Sequence, residues 1–97
     1  MSYIRILGKD RFKIPTDNVL LFRANTNYTI IQTTDGKEFL SARTLKVFEQ
    51  KFPEFIRANR NHLLNRNHII SFSFPNTVTL SNGEEISVSR RRVKHLR

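Results

Sequence analysis

The chain is expected to fold as a mostly β domain with one short helix, and three observations carry that expectation. Most apolar runs are short and rich in β-favouring residues. Two pairs of them are joined by Asp-Gly or Asn-Gly dipeptides, the strongest short-range hairpin signals. Only one stretch has apolar residues at helical spacing. In order, YIRIL at 3–7 alternates and reads as an opening strand, and RFKIP at 11–15 as a second, ended by Pro15. NVLLFRA at 18–24 has few polar breaks, as a strand buried on much of its surface would. YTIIQT at 28–33 and KEFLS at 37–41 form a hairpin around Asp35-Gly36.

The period then changes. In ARTLKVFEQKF at 42–52, Leu45, Phe48 and Phe52 recur at three and four, with Ser41 as the expected cap and Pro53 as the stop. The expected helix covers 42–51, about three turns at most by the usual 3.6 residues per turn. Strand material resumes in EFIRAN, HLLN and HIISFSF, where Phe72 and Phe74 share a face and are both expected in the core. TVTLSNGEEISVS at 77–89 is a second hairpin turning at Asn82-Gly83. Its alternation puts Val78 and Leu80 on the same face as Ile86 and Val88. Ser89 then caps a short C-terminal turn whose Val93 and Leu96 face inward. The count is about seven to ten short strands, with no internal repeat or linker, so 1–97 is a single domain around one small core.

Charge is the informative part of the composition. Seventeen Lys and Arg against eight Asp and Glu give a net charge of +9, a density that favours polyanionic partners. From Phe55 onward there are eight basic and two acidic residues, and arginine strongly outnumbers lysine. Its planar fork of donors matches phosphate oxygens and guanine edges better than an ammonium does. The arginines concentrate in two stretches, IRANRNHLLNRNH at 56–68 and SRRRVKHLR at the end. In the first, Arg57, Asn59, Arg60, Asn61 and His62 are placed between two strands, where loops carry recognition; Asn65 and Asn67 read as turn formers. In the second, Arg90, Arg91 and Arg92 directly follow a strand, and a phosphate there would relieve their mutual repulsion.

Other functions are less well served. Zero cysteines remove disulfides and thiolate chemistry and suit a reducing compartment. His62, His68 and His95 lack metal-site spacing, and Glu84-Glu85, adjacent on a strand, point to opposite faces. No enzyme, cofactor or metal is therefore expected. Nothing in the chain reads as a signal peptide or membrane span, so a cytoplasmic location is expected. RNA or single-strand binding is the first alternative, with Tyr28, Phe39, Phe72 and Phe74 as conceivable stacking platforms. A protein-interaction domain is the second; it would need an uncovered apolar patch.

An ordered set of landmarks resembles the LytTR family of bacterial DNA-binding domains. They run IP…NVLLF, NYT, TDGKEF, a helix with L…F, FIR…R…LLN…HI and finally NG…ISVSRRR, over about 12–96. The family's central pattern, F-x-R-x-H-R-S-x-x-V-N, is met here at Phe55, Arg57, Arg60 and Asn65. Asn59 stands in place of the usual His and Asn61 in place of the usual Ser. The closing VSRRR is complete at Val88, Ser89, Arg90, Arg91 and Arg92. The resemblance implies an elongated arrangement of short antiparallel sheets with a small helix, which reads double-stranded DNA with loops instead of a recognition helix. It implies contacts from the 24–27 loop (Asn25 and Asn27), from Arg57 to His62, and from Arg90 to Arg92, with a second copy on an adjacent site. The implied role is sequence-specific binding by a bacterial transcriptional regulator. Family members usually follow a receiver domain, for which there is no room before the first strand; a free-standing protein and a fragment both stay open.

Overall fold

The computed structural model describes residues 3–5 and 13–95, the His95 side chain excepted. The remainder of the expected first two strands and Leu96 lie outside the described residues. Ten strands and one helix follow in the order β1 (Tyr3–Arg5), β2 (Lys13–Pro15), β3 (Val19–Asn25), β4 (Tyr28–Thr33), β5 (Glu38–Ser41), α1 (Leu45–Lys51), β6 (Phe55–Asn59), β7 (His62–Asn65), β8 (Ile69–Ser73), β9 (Thr77–Leu80) and β10 (Glu85–Ser87). They make three antiparallel sheets: a β1-β2 ribbon, a central sheet in the order β5-β4-β3-β7-β6, and a small sheet in the order β10-β9-β8.

The central sheet is covered on both faces, which is why its middle strand carries an unbroken apolar run. Val19, Phe22, Ile31, Phe55 and Leu63 face the ribbon and α1, packing with Ile4, Ile14, Leu45, Phe48 and Phe52. Leu20, Leu21, Ala58 and Leu64 face the small sheet, packing with Val78, Leu80, Ile86 and Val88. A register shift between Val19 and Leu21 lets the consecutive Leu20 and Leu21 enter the same core. On the helix side, Phe22 stacks on Phe48 at 4.4 Å between ring centres and meets Phe55 at 5.0 Å. Truncating a buried phenyl ring of this kind costs about 3–5 kcal/mol. The layering gives an elongated body of 43 × 24 × 21 Å.

Buried Asn65 fastens the middle. Only 1% exposed, it donates through Nδ2 to the carbonyls of Val19 (2.8 Å) and Thr16 (3.2 Å) and accepts from the Asn67 amide (3.0 Å). It is a turn former, as its position between strands suggests, and its amide joins β7 to the entry of β3.

Three expectations need correction. In place of the one small core expected from the chain's length, the buried apolar residues form two clusters, one on each face of the central sheet. The helix is seven residues long and begins at Leu45, not at Ala42. Ser41 does not cap it, because Ser41 is the last residue of β5, opposite Thr29, and its Oγ accepts from the Arg43 amide. Thr44 occupies the cap position without a side-chain bond. Phe74 is not in the core either. The β8–β9 ladder ends at Ser73 and Thr77, so Phe74 lies beyond the last pair and is 82% exposed, whereas Phe72, opposite Val78, packs against the core.

Candidate nucleic-acid interface

The sites singled out in the sequence are far apart along the chain, and the fold sets them side by side. The β3–β4 turn comes first. Asn25 and Tyr28 are its closing pair, and Thr26 sits between them at φ 56°. A β-branched residue in the left-handed region is strained by about 1–3 kcal/mol, so the surrounding contacts fix this turn's shape. Asn25 and Asn27 are both exposed. The Ala24 amide at its base donates to the Asn61 carbonyl at 2.9 Å, which docks the turn against the β6–β7 loop.

That loop is held from within by Arg57 and Asn59. The Arg57 guanidinium donates to Glu49 Oε1 on α1 (2.8 Å), to the Asn59 carbonyl (2.9 Å) and to the Arg60 carbonyl (2.9 Å), and its side chain is only 17% exposed. Asn59 Oδ1 accepts from the Asn61 amide (2.8 Å) and lies 3.0 Å from His62 Nδ1, while Nδ2 donates to the Ser87 carbonyl at 2.6 Å. Because Nδ2 is committed to a carbonyl, Oδ1 must face the imidazole, so His62 Nδ1 carries the proton and Nε2 is the free acceptor. Burial first, and the Arg23 guanidinium second, hold His62 below the ordinary imidazole value of 6.5, with Glu84 pulling weakly the other way.

The closing arginines come third. The Ser89 amide donates to the Ala58 carbonyl (2.9 Å), and the Ser89 carbonyl accepts from the amides of Arg92 and Val93. The expected turn therefore forms on backbone bonds, and Val93 packs inward as expected. On its other side the same segment is tied to the β8–β9 turn, where Val88 donates to the Asn76 carbonyl (2.7 Å) and accepts from Asn76 Nδ2 (3.2 Å). A row results: the β8–β9 turn, the arginine turn, the Arg60–Asn61 loop and the 24–27 turn, each hydrogen-bonded to the next.

The arginines divide by environment. Arg23, on β3, is held by Gln32 (2.6 Å), Glu84 (3.3 Å) and Glu38 (3.8 Å), and Arg57 is committed as described. Arg60, Arg90 and Arg91 are exposed, Arg92 is half-buried, and none of the four meets a carboxylate among the described residues. Sequence alone did not place Lys46 at the site, nor Tyr28 beyond its reading as a stacking platform; both line a shallow groove with Thr26, Asn27, Arg57 and Arg60. No local spacing signals them, because sheet pairing and the docked helix bring them there. The described residues hold no cluster of His, Asp and Glu suited to a metal ion, and none of their helices is long and apolar enough to cross a membrane.

A mostly β scaffold that presents linked, arginine-bearing loops suits a DNA-binding module. The family model for the LytTr DNA-binding domain matches residues 9–97, and the chain belongs to this LytTR family of DNA-binding domains. The fold is shared with the LytTr DNA-binding domain of a Bacillus cereus protein described as a methyl-accepting/DNA response regulator. The TM-score is 0.84 at 22% identity, over 100% of this chain and 94% of that one. No curated protein matches the chain significantly.

Proposed function

We propose that this domain binds double-stranded DNA sequence-specifically, as the DNA-binding part of a cytoplasmic bacterial transcriptional regulator, and that it reads grooves with its row of loops. The observation that carries this reading is the hydrogen-bonded alignment of the 24–27 turn, the Arg60–Asn61 loop and the arginine turn, along which the guanidinium groups of Arg60, Arg90, Arg91 and Arg92 meet no carboxylate among the described residues. The helix is a poor reader: it is only seven residues long, it buries Leu45 and Phe48 in the core, and its Glu49 is taken by Arg57. The 43 Å long axis of the body exceeds one DNA turn of about 34–36 Å. A second copy on an adjacent site extends the footprint without requiring a dimer in solution.

Within this reading the residues have distinct roles. Arg60 is a base or inner-groove contact, Arg90 and Arg91 grip phosphate or a base edge from a second position, and Asn25, Asn27, Asn61 and His62 complete the polar surface. Arg57 and Asn59 act from behind, by shaping the loop that carries Arg60. In this reading the domain is non-catalytic; His62 meets Asn59 through Nδ1, and His68 bridges Ser81 Oγ and the Asp17 carbonyl. One observation favours a second reading as a single-strand or RNA binder, namely that Tyr28 (54%) and Phe74 (82%) are exposed aromatics. The test is selection of duplexes from a random pool, followed by binding of Arg60→Ala and Arg91→Ala to selected and scrambled sequences. Arg60→Ala should lose about 1–3 kcal/mol on the selected site and relax one base position. Arg91→Ala should weaken both duplexes and lower the salt slope by about one unit. No enrichment, or parent-like binding by both folded variants, would remove the proposal.

A further inference from the structure

We propose that the Phe74 phenyl ring is a further DNA contact, an apolar one, at the far end of the row of loops. The inference rests on the duplex-binding reading above and adds to it a contact of different chemistry. Three observations lead to it. Among the described residues Phe74 is the most exposed large hydrophobic, at 82%, and it has no place in either core. Its position is fixed relative to the basic surface: two residues on, Asn76 makes a reciprocal pair of hydrogen bonds with Val88, and Val88 leads directly into Ser89 and the three arginines. The arginine turn thus runs between the Phe74 turn on one side and the Ala58–Asn59 end of β6 on the other. Finally, residues 69–83 hold no charged side chain, although charged residues make up 26% of the chain. A ring presented there can approach groove walls and base steps without bringing along a carboxylate that DNA would repel.

An apolar ring beside a cluster of arginines suits a nucleic-acid groove. The arginines neutralise phosphates, and the ring rests on deoxyribose, on a thymine methyl group or as a wedge against a base step. Ile70 is also exposed, but it sits at a register shift on β8, away from the turn that joins Val88, and serves as a control.

The experiment measures binding of a labelled duplex enriched from a random pool by the parent domain, at several salt concentrations, for Phe74→Ala, Phe74→Leu and Ile70→Ala. Phe74→Ala should lose about tenfold in affinity with an unchanged salt slope, because removing an apolar contact releases no counterions. Phe74→Leu should retain most of the affinity, and Ile70→Ala should match the parent. Parent-like binding by Phe74→Ala would overturn the proposal while leaving duplex binding intact. So would a drop in salt slope of about one unit, which would mean that the ring only supports a phosphate-binding arginine. Sedimentation without DNA is the second readout. A parent that self-associates and a monomeric Phe74→Ala with undiminished DNA affinity would reassign the ring to a protein interface. If the parent enriches no duplex at all, it is the underlying function that fails.

Discussion

Arg57 and Arg60 stand three residues apart in the same family pattern, and the fold puts them to different uses. Arg57 makes three charge-assisted hydrogen bonds within the chain, two of them to the carbonyls of the loop it underlies. Arg57→Ala should therefore lower folding stability by about 1–3 kcal/mol, whereas exposed Arg60→Ala should stay within about 0.5 kcal/mol of the parent. Urea unfolding of both variants checks this, and equal stabilities would show that the clamp contributes nothing. His62 makes a pH-dependent contribution. Its folded pKa lies below 6.5, so between the two values the unfolded chain binds more proton and acidification favours unfolding. The contribution is complete above about 6.5 and is lost as pH falls through the folded value. Thermal unfolding between about pH 7.5 and 5.5 should show a steeper loss for the parent than for His62→Gln, whose amide can still donate to Asn59; identical profiles would rule this out. Asn59 in place of the family's His was legible as a departure. Its role as the tie between the β6–β7 loop and Ser87 was not, because Ser87 reaches it only through the sheet topology.

At the scale of elements, the hairpins were the readable part. In the β9–β10 hairpin, Asn82-Gly83 gives the turn, alternation gives the face, and the observed Ile86–Val78 pairing follows from both. Gly83 adopts φ 90°, where side chains are strained even though no atom lies within 4 Å of an added Cβ. Gly83→Ala should thus cost about 1 kcal/mol from backbone conformation alone, read as a shift in the urea midpoint with an unchanged slope. No loss of stability would mean that the turn relaxes freely. The start of the helix was not readable. Ser41 reads as the cap in sequence, and its pairing with Thr29 in β5 rules that out. Phe74 misled for a related reason: alternation continues through it, but the ladder does not.

The whole molecule explains why a strongly basic chain folds without difficulty. Two apolar cores lie on opposite faces of one sheet, Arg23 and Arg57 are neutralised where the layers meet, and Arg60, Arg90, Arg91 and Arg92 are displayed along one linked row of loops. Fold class and the two basic stretches could be seen in the sequence. Their convergence could not, since it depends on the hydrogen bonds from Ser89 to Ala58 and from Ala24 to Asn61, between segments about thirty residues or more apart. If that row is a DNA-reading surface, several phosphates must be engaged together and affinity must depend steeply on salt. The most direct test is a titration of the parent domain with the enriched duplex, a scrambled duplex and single-stranded RNA of the same length, each at low and near-physiological salt. The prediction is tightest binding to the enriched duplex, weaker binding to the scrambled one, weakest to RNA, and a steep loss of duplex affinity as salt rises. Equal or tighter binding to RNA, or a duplex affinity indifferent to salt, would contradict it.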